Sequence, residues 1–242
     1  MPGVADQPSY DNLLTNPNQR TPCVLVLDAS GSMSAPTADG STMVGQLNRG
    51  LERLEQDLKA SPIAGARVQL AIVCVGGAMP DAGVMMYFTD AKDFFAFPFE
   101  AKGYTPLGRG LELALDLVEQ QKRAYKDNGV NHTRPWIMVM TDGFPTDALG
   151  RDARGSPEWQ RVAADCRTAG EHKRCIIYPL GVEGADMATL QQISAEPVKV
   201  LDQTKFVELF RWLSTSLTAI SRSSPGDEVQ LPSTSAWEAV KL

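Results

Sequence analysis

Basic residues never cluster in this sequence. Its 23 lysines and arginines are outnumbered by 29 acids, leaving a net charge of −6, and no run of positive charge offers a dedicated nucleic-acid surface. Long apolar runs are missing as well; none approaches the roughly 18–20 residues needed to cross a bilayer. The first twenty residues are polar and rich in Pro and Asn, unlike a secretory leader, which has a basic start and an apolar stretch. The expectation is a cytoplasmic protein with neither membrane nor nucleic acid as partner. Cysteine is scarce. Cys23, Cys74, Cys166 and Cys175 show no C-x-x-C spacing and each sits in an apolar stretch, so buried free thiols are expected in place of zinc ligands or a disulfide framework. The only two histidines, His132 and His172, have no acid or thiol at ligand spacing and are expected on the surface. Neither a G-x-S-x-G elbow nor a G-x-x-x-x-G-K-S/T loop occurs, which removes two common routes to hydrolysis and phosphoryl transfer.

What is present is a regular alternation. With 43% hydrophobic and 21% charged residues, the composition is that of an ordinary globular chain. Six apolar runs read as strands: Cys23–Asp28, Val68–Val75, Val84–Phe88, Trp136–Met140, Cys175–Leu180 and Val198–Leu201. They are nearly continuous and not alternating, as in strands covered on both faces. Helical stripes lie between them, through Met43, Leu47, Leu51, Leu54 and Leu58, then Leu107, Leu111, Leu115 and Val118. Pro106 suits a first helical position, Ser156 with Pro157 an N-cap and N1, Gly170 a helix end, and Asp186 the cap of a short helix. Phe206, Phe210, Leu213, Leu217 and Ile220 make the last and clearest stripe.

Only the second and third strands lack a helix between them, and the Gly76–Gly83 connector reads as a hairpin turn. The predicted fold is therefore α/β and doubly wound (Rossmann-like). It has a mostly parallel six-stranded sheet, one antiparallel edge strand and helices on both faces. Residues 1–20 read as a loosely ordered arm and 21–221 as the domain. The tail, 222–242, is apolar enough at Val229, Leu231 and Trp237 to pack back on it.

The chemistry gathers on three loops. Asp28-Ala29-Ser30-Gly31-Ser32 follows the first buried strand, where open α/β sheets bind ligands. A carboxylate and two hydroxyls on one tight loop are hard oxygen donors of the kind Mg²⁺ or Mn²⁺ prefers. Taken alone the pattern is weak, because Asp, Ser and Gly also make good turns. Thr105, between the third strand and second helix, and Asp142, at the end of the Trp136–Met140 strand, bring two further oxygens to the same edge. Asp147 reads as a loop cap, while Tyr104, Phe144 and Met33 flank the site either as partner contacts or as cover.

With all three segments in this strand context, the sequence resembles the von Willebrand factor A family. Asp28, Ser30, Ser32, Thr105 and Asp142 match in order the five ligands of its metal-ion-dependent adhesion site. Further segments are similar to the bacterial TerY-like branch, associated with tellurite resistance and stress. They include Arg134-Pro135-Trp136, Thr141-Asp142-Gly143-Phe144-Pro145-Thr146-Asp147, Gly181-Val182-Glu183-Gly184-Ala185-Asp186-Met187 and Phe210-Arg211-Trp212-Leu213-Ser214. The resemblance implies a protein-binding module, not an enzyme, that uses Mg²⁺ or Mn²⁺ to recognise a partner's Asp or Glu. It also implies a regulatory role beside a protein kinase or a metal-dependent phosphatase. The alternatives are a metal-dependent hydrolase or phosphatase-like enzyme, and a metal-free structural adaptor.

Overall fold

The computed structural model describes residues 10, 13, 15, 16, 18–79, 81–182, 184–224 and 227–239. Its centre is a six-stranded sheet in the order β3-β2-β1-β4-β5-β6, formed by β1 (Thr21–Ala29), β2 (Val68–Gly76), β3 (Gly83–Asp90), β4 (Trp136–Thr141), β5 (Ile176–Val182) and β6 (Lys199–Leu201). All pairings are parallel except that of the edge strand β3 with β2. The predicted mixed sheet is thus the observed one, with its strands displaced by at most a few residues at their ends.

Two helical layers cover it. Helices α1 (Met43–Ala60) and α6 (Phe206–Arg222) bury their stripes with Cys23, Leu25 and Leu27 on one face. The other face, with Val24 and Val26, is covered by α3 (Leu107–Asp127) and α4 (Pro157–Glu171). Consecutive β1 residues therefore serve opposite cores, and every one is buried. The short helices α2 (Pro62–Arg67) and α5 (Met187–Leu190) complete the chain order; α2 has too few residues for a periodic stripe and was not foreseen.

Two helix ends differ from expectation. Pro106 is the N-cap residue and not the first helical one, with Leu107 opening α3. Gly170 lies inside α4, and the left-handed residue after that helix is Lys173, at φ +56°. Ser156 and Asp186 do cap as predicted, accepting from the backbone N–H of Trp159 and Thr189 respectively. All four cysteines are free and buried. Cys23 pairs in register with Leu70 and Cys74 with Leu27, an offset of four rungs or about 13 Å, beyond disulfide reach. His132 is half-buried, not on the surface: it meets Tyr125 edge-on at 5.0 Å, and burial lowers its pKa. His172 is exposed.

The two helices of the first layer approach closely at Gly50. A Cβ there would stand 2.3 Å from Phe210 Cδ2 and 3.1 Å from the Phe206 carbonyl oxygen. Gly50→Ala gains about 1 kcal/mol in helix propensity but overpacks this crossing by ~1–3 kcal/mol. The variant is expected to melt lower than the wild type, and a higher melting temperature would mean that α1 and α6 separate freely.

Candidate metal centre

The sheet order places β1 beside β4, with the chain winding away from this pair on either side, so the crevice lies beyond their carboxyl ends. Leu27 pairs with Met140, which brings Asp28 and Thr141 side by side at the rim. Asp28 is 1% exposed. Its Oδ1 accepts the Ser30 backbone N–H at 2.8 Å, and its Oδ2 accepts the Thr141 hydroxyl. The carboxylate is thereby fixed at both oxygens.

Ser30 turns the chain into a short 3-10 segment, Gly31–Ser34. The Ser30 and Ser32 hydroxyls lie 3.0 Å apart, and Ser32 donates to Asp142 Oδ1 at 2.9 Å. Asp142 sits one residue past β4 on the turn where the Gly143 N–H donates to Thr141 Oγ1 at 3.1 Å.

Thr105 arrives by a longer route. The chain from 94 to 103 crosses α1 without forming a strand, and there the Ala96 N–H donates to Glu55 Oε2 at 2.8 Å and the Phe99 N–H to Asn48 Oδ1 at 2.9 Å. It then docks on the end of β1: the Lys102 N–H donates to the Ala29 carbonyl at 2.9 Å, and the Gly31 N–H to the Gly103 carbonyl at 3.0 Å. Thr105 is buried, and its backbone N–H donates to Thr146 Oγ1 at 2.9 Å. A Cβ built on Gly143 would lie 3.6 Å from Thr105 Oγ1, so that hydroxyl faces the Asp142 turn. The five predicted residues are therefore gathered at one crevice.

The electrostatics are one-sided. Burial, reinforced by neighbouring Asp142, pushes the Asp28 carboxyl up to about 6. Burial also raises Asp142, against a smaller opposing effect of the Ser32 hydroxyl. Among the described residues no lysine or arginine forms an ion pair with either acid. Two converging carboxylates without a counter-cation are an unfavourable arrangement unless a positive charge arrives from outside. The described residues contain no trio of His, Cys, Asp or Glu able to form a metal cage. What the crevice offers is two carboxylates and three hydroxyls. An all-oxygen set with so few acids suits a small hard divalent cation that retains water.

Several supporting residues escaped sequence reasoning. Gly76 and Gly77 read only as part of a hairpin, yet Gly76 has φ +74°, and a Cβ there would stand 2.6 Å from the Tyr104 carbonyl oxygen and 2.8 Å from Ser30 Cα. It lets two site loops meet against the end of β2. The Thr141 hydroxyl was likewise unassigned. Met33 is fully buried and belongs to the core, whereas Tyr104 and Phe144 are exposed. Asp147 is a loop cap as expected, accepting the backbone N–H groups of Leu149 and Arg151, each at 2.9 Å. Both histidines lie at the other end of the sheet. His132 bridges to Arg20 at the start of β1, and His172 ends α4 ahead of β5. Neither can serve Ser30 or Ser32 as a base.

No curated protein matches the chain in sequence. Solved structures do match its fold. The von Willebrand factor domain of the type V pili tip protein Mfa5 from Porphyromonas gingivalis superposes with a TM-score of 0.58 at 11% identity, over 86% of this chain and 98% of that one. The pilus adhesin SpaC from Lactobacillus rhamnosus GG gives 0.61 at 13% identity, over 84% of this chain but 32% of the adhesin. Proximal thread matrix protein 1 from the mussel byssus, in a form with a zinc-occupied MIDAS motif, gives 0.51 at 14% identity, over 84% and 48%. The chain thus spans about half the length of the byssus protein and a third of the adhesin. A sequence profile described as the von Willebrand factor type A domain matches residues 23–212, most of the chain and every strand from β1 to β6, and the protein belongs to that family.

Proposed function

We propose that this protein is a metal-dependent recognition module. Asp28, Ser30, Ser32, Thr105 and Asp142 hold one Mg²⁺ or Mn²⁺, and a carboxylate from another protein completes the shell. The observation that carries this reading is the uncompensated pair Asp28 and Asp142 at the mouth of the sheet. Three of the five ligands are neutral hydroxyls, so a dication keeps positive charge there, and an Asp or Glu that displaces water is the natural additional ligand. The zinc in the MIDAS motif of the byssus protein supports a divalent ion at the corresponding loops. The adhesin role of the pilus protein supports partner binding over turnover.

In its finer form the reading is a regulatory scaffold of the TerY-like stress branch, working with a protein kinase or metal-dependent phosphatase. The segments quoted above support that form. The four free buried thiols suit the reducing cytoplasm.

Titration calorimetry with Mn²⁺ tests the centre. Thr141→Val removes the hydroxyl that orients Asp28 without removing a ligand, and losses of such outer contacts cost about 10–100-fold in metal affinity. Thr105→Ala is expected to weaken binding too. A chain that binds no metal, or binds it equally well in both variants, would place the function elsewhere.

A further inference from the structure

The large apolar side chains that stand exposed are not scattered. Among the described residues they are Ile63, Phe95, Tyr104, Phe144 and Leu149. Three of these five, Tyr104, Phe144 and Leu149, lie within seven residues of Thr105 or Asp142 along the chain. An apolar residue exposed singly needs no explanation, whereas a group beside a polar crevice marks a contact surface.

The way the rings are mounted separates them from loose surface groups. Tyr104 is 56% exposed, yet its ring lies on Gly150, where a Cβ would stand 2.4 Å from Cε1 and 2.5 Å from Cδ1. Gly150 has φ +81°, a left-handed conformation that favours glycine, so backbone shape and ring contact demand the same residue. Phe144, 43% exposed, carries the Arg154 guanidinium 4.4 Å from its ring centroid. That guanidinium is held in turn by Asp152 at 3.0 Å and Asp186 at 3.1 Å. Asp147 fixes the loop bearing Leu149. Each ring therefore has a contact that holds it in place and leaves the rest of its surface to solvent. Aromatic groups whose ordering is already complete before binding are effective anchors.

We infer that the segment recognised here is an acidic residue adjacent to a bulky apolar one. Its carboxylate reaches the ion, and the neighbouring side chain lies on Tyr104, Phe144 and Leu149. The inference rests on the metal-bridged reading above and adds the other half of the epitope. Tyr104 and Phe144 adjoin Thr105 and Gly143 in the chain, and the Tyr104 ring lies against Gly150, next to Leu149, so one short segment is proposed to satisfy both.

A random displayed-peptide library bound to the full chain in Mn²⁺ and eluted with EDTA tests it. The eluted sequences are expected to carry Asp or Glu next to Leu, Ile, Met, Phe or Trp. A synthetic peptide of the enriched sequence should bind Tyr104→Ser and Phe144→Ser about tenfold or more weakly than wild type. Both variants should keep the wild-type rise in melting temperature with Mn²⁺, which reports the metal loops and not the rings. Acidic sequences without an apolar neighbour, or a peptide that binds both variants as tightly as wild type, would overturn the inference and leave the metal-bridged reading intact. An EDTA eluate with no acidic enrichment would overturn both. Self-association of the wild type that Phe144→Ser abolishes would give the patch to a second copy of this chain and overturn the partner assignment.

Discussion

Asp28→Asn is expected to abolish the response to Mg²⁺ or Mn²⁺ while leaving the metal-free protein at least as stable as the wild type. The two effects have opposite signs because Asp28 serves two states differently. Without metal it is a buried carboxylate beside Asp142 with no cation to answer it, and its pKa stands near 6. A carboxyl whose folded pKa is raised leaves the native state most stable below the ordinary carboxylate range. That stability is lost as pH rises through about 6. At neutral pH the penalty is on the order of 2–3 kcal/mol, and the amide removes it while keeping an oxygen for the Ser30 N–H. With metal the carboxylate is the ligand that anchors the ion. Saturation at about a hundredfold excess over Kd contributes ~2.7 kcal/mol to the folded state, or roughly 5–10 °C in a domain of this size. Protons compete for the same oxygens, so the wild-type response should shrink as pH is lowered through about 6. Calorimetric melting with and without millimolar metal, at pH 5 and pH 7.5, reads all of this. A metal response that survives in Asp28→Asn would move the ion out of the crevice.

The fold was legible because its strands are covered on both faces. A run such as Val24-Leu25-Val26-Leu27 has no polar alternative, and its alternate residues feed the two separate cores. The approach of Asp28 and Asp142 to one rim was legible for a related reason. Asp28 lies at the end of buried β1 and Asp142 directly after β4, and these strands pair side by side, so the strand assignment brought both acids to one rim. What remained hidden depends on distant pairing. Gly76 looks like any turn glycine until Tyr104, 28 positions later, is laid against it. The run from 94 to 103 forms neither strand nor helix, and part of its backbone is satisfied by the Asn48 and Glu55 side chains of α1 and not by a strand. Local sequence carries no sign of such bonds. His132 was misplaced for the same reason, since its burial comes from Tyr125 at the end of α3.

Trp237→Ala is expected to lower stability by about 3–5 kcal/mol, the usual cost of truncating a buried tryptophan. The ring is 1% exposed and meets Trp212 of α6 edge-on at 5.5 Å. Trp212 in turn bonds the Pro232 carbonyl at 2.8 Å and stacks on Tyr178 of β5 at 5.4 Å. The chain around Trp237 is tied to the sheet edge: the Asp202 N–H donates to the Trp237 carbonyl at 3.1 Å, and the Ala239 N–H to the Val200 carbonyl at 2.9 Å. Lys199 pairs with Glu238 at 3.1 Å. These contacts cover the open side of β6, the kind of unpaired edge that otherwise invites association. One feature works against the anchor, for the buried Trp237 Nε1 has no hydrogen-bond partner among the described residues, and such an orphan costs roughly 1–3 kcal/mol. Trp237→Phe keeps a ring against Trp212 and removes the orphan, so it should lose far less than Trp237→Ala. Denaturant unfolding of the three proteins gives the comparison. A Trp237→Ala variant as stable as the wild type, with fast amide exchange from 229 to 239 already in the wild type, would show that the segment does not hold this position in solution.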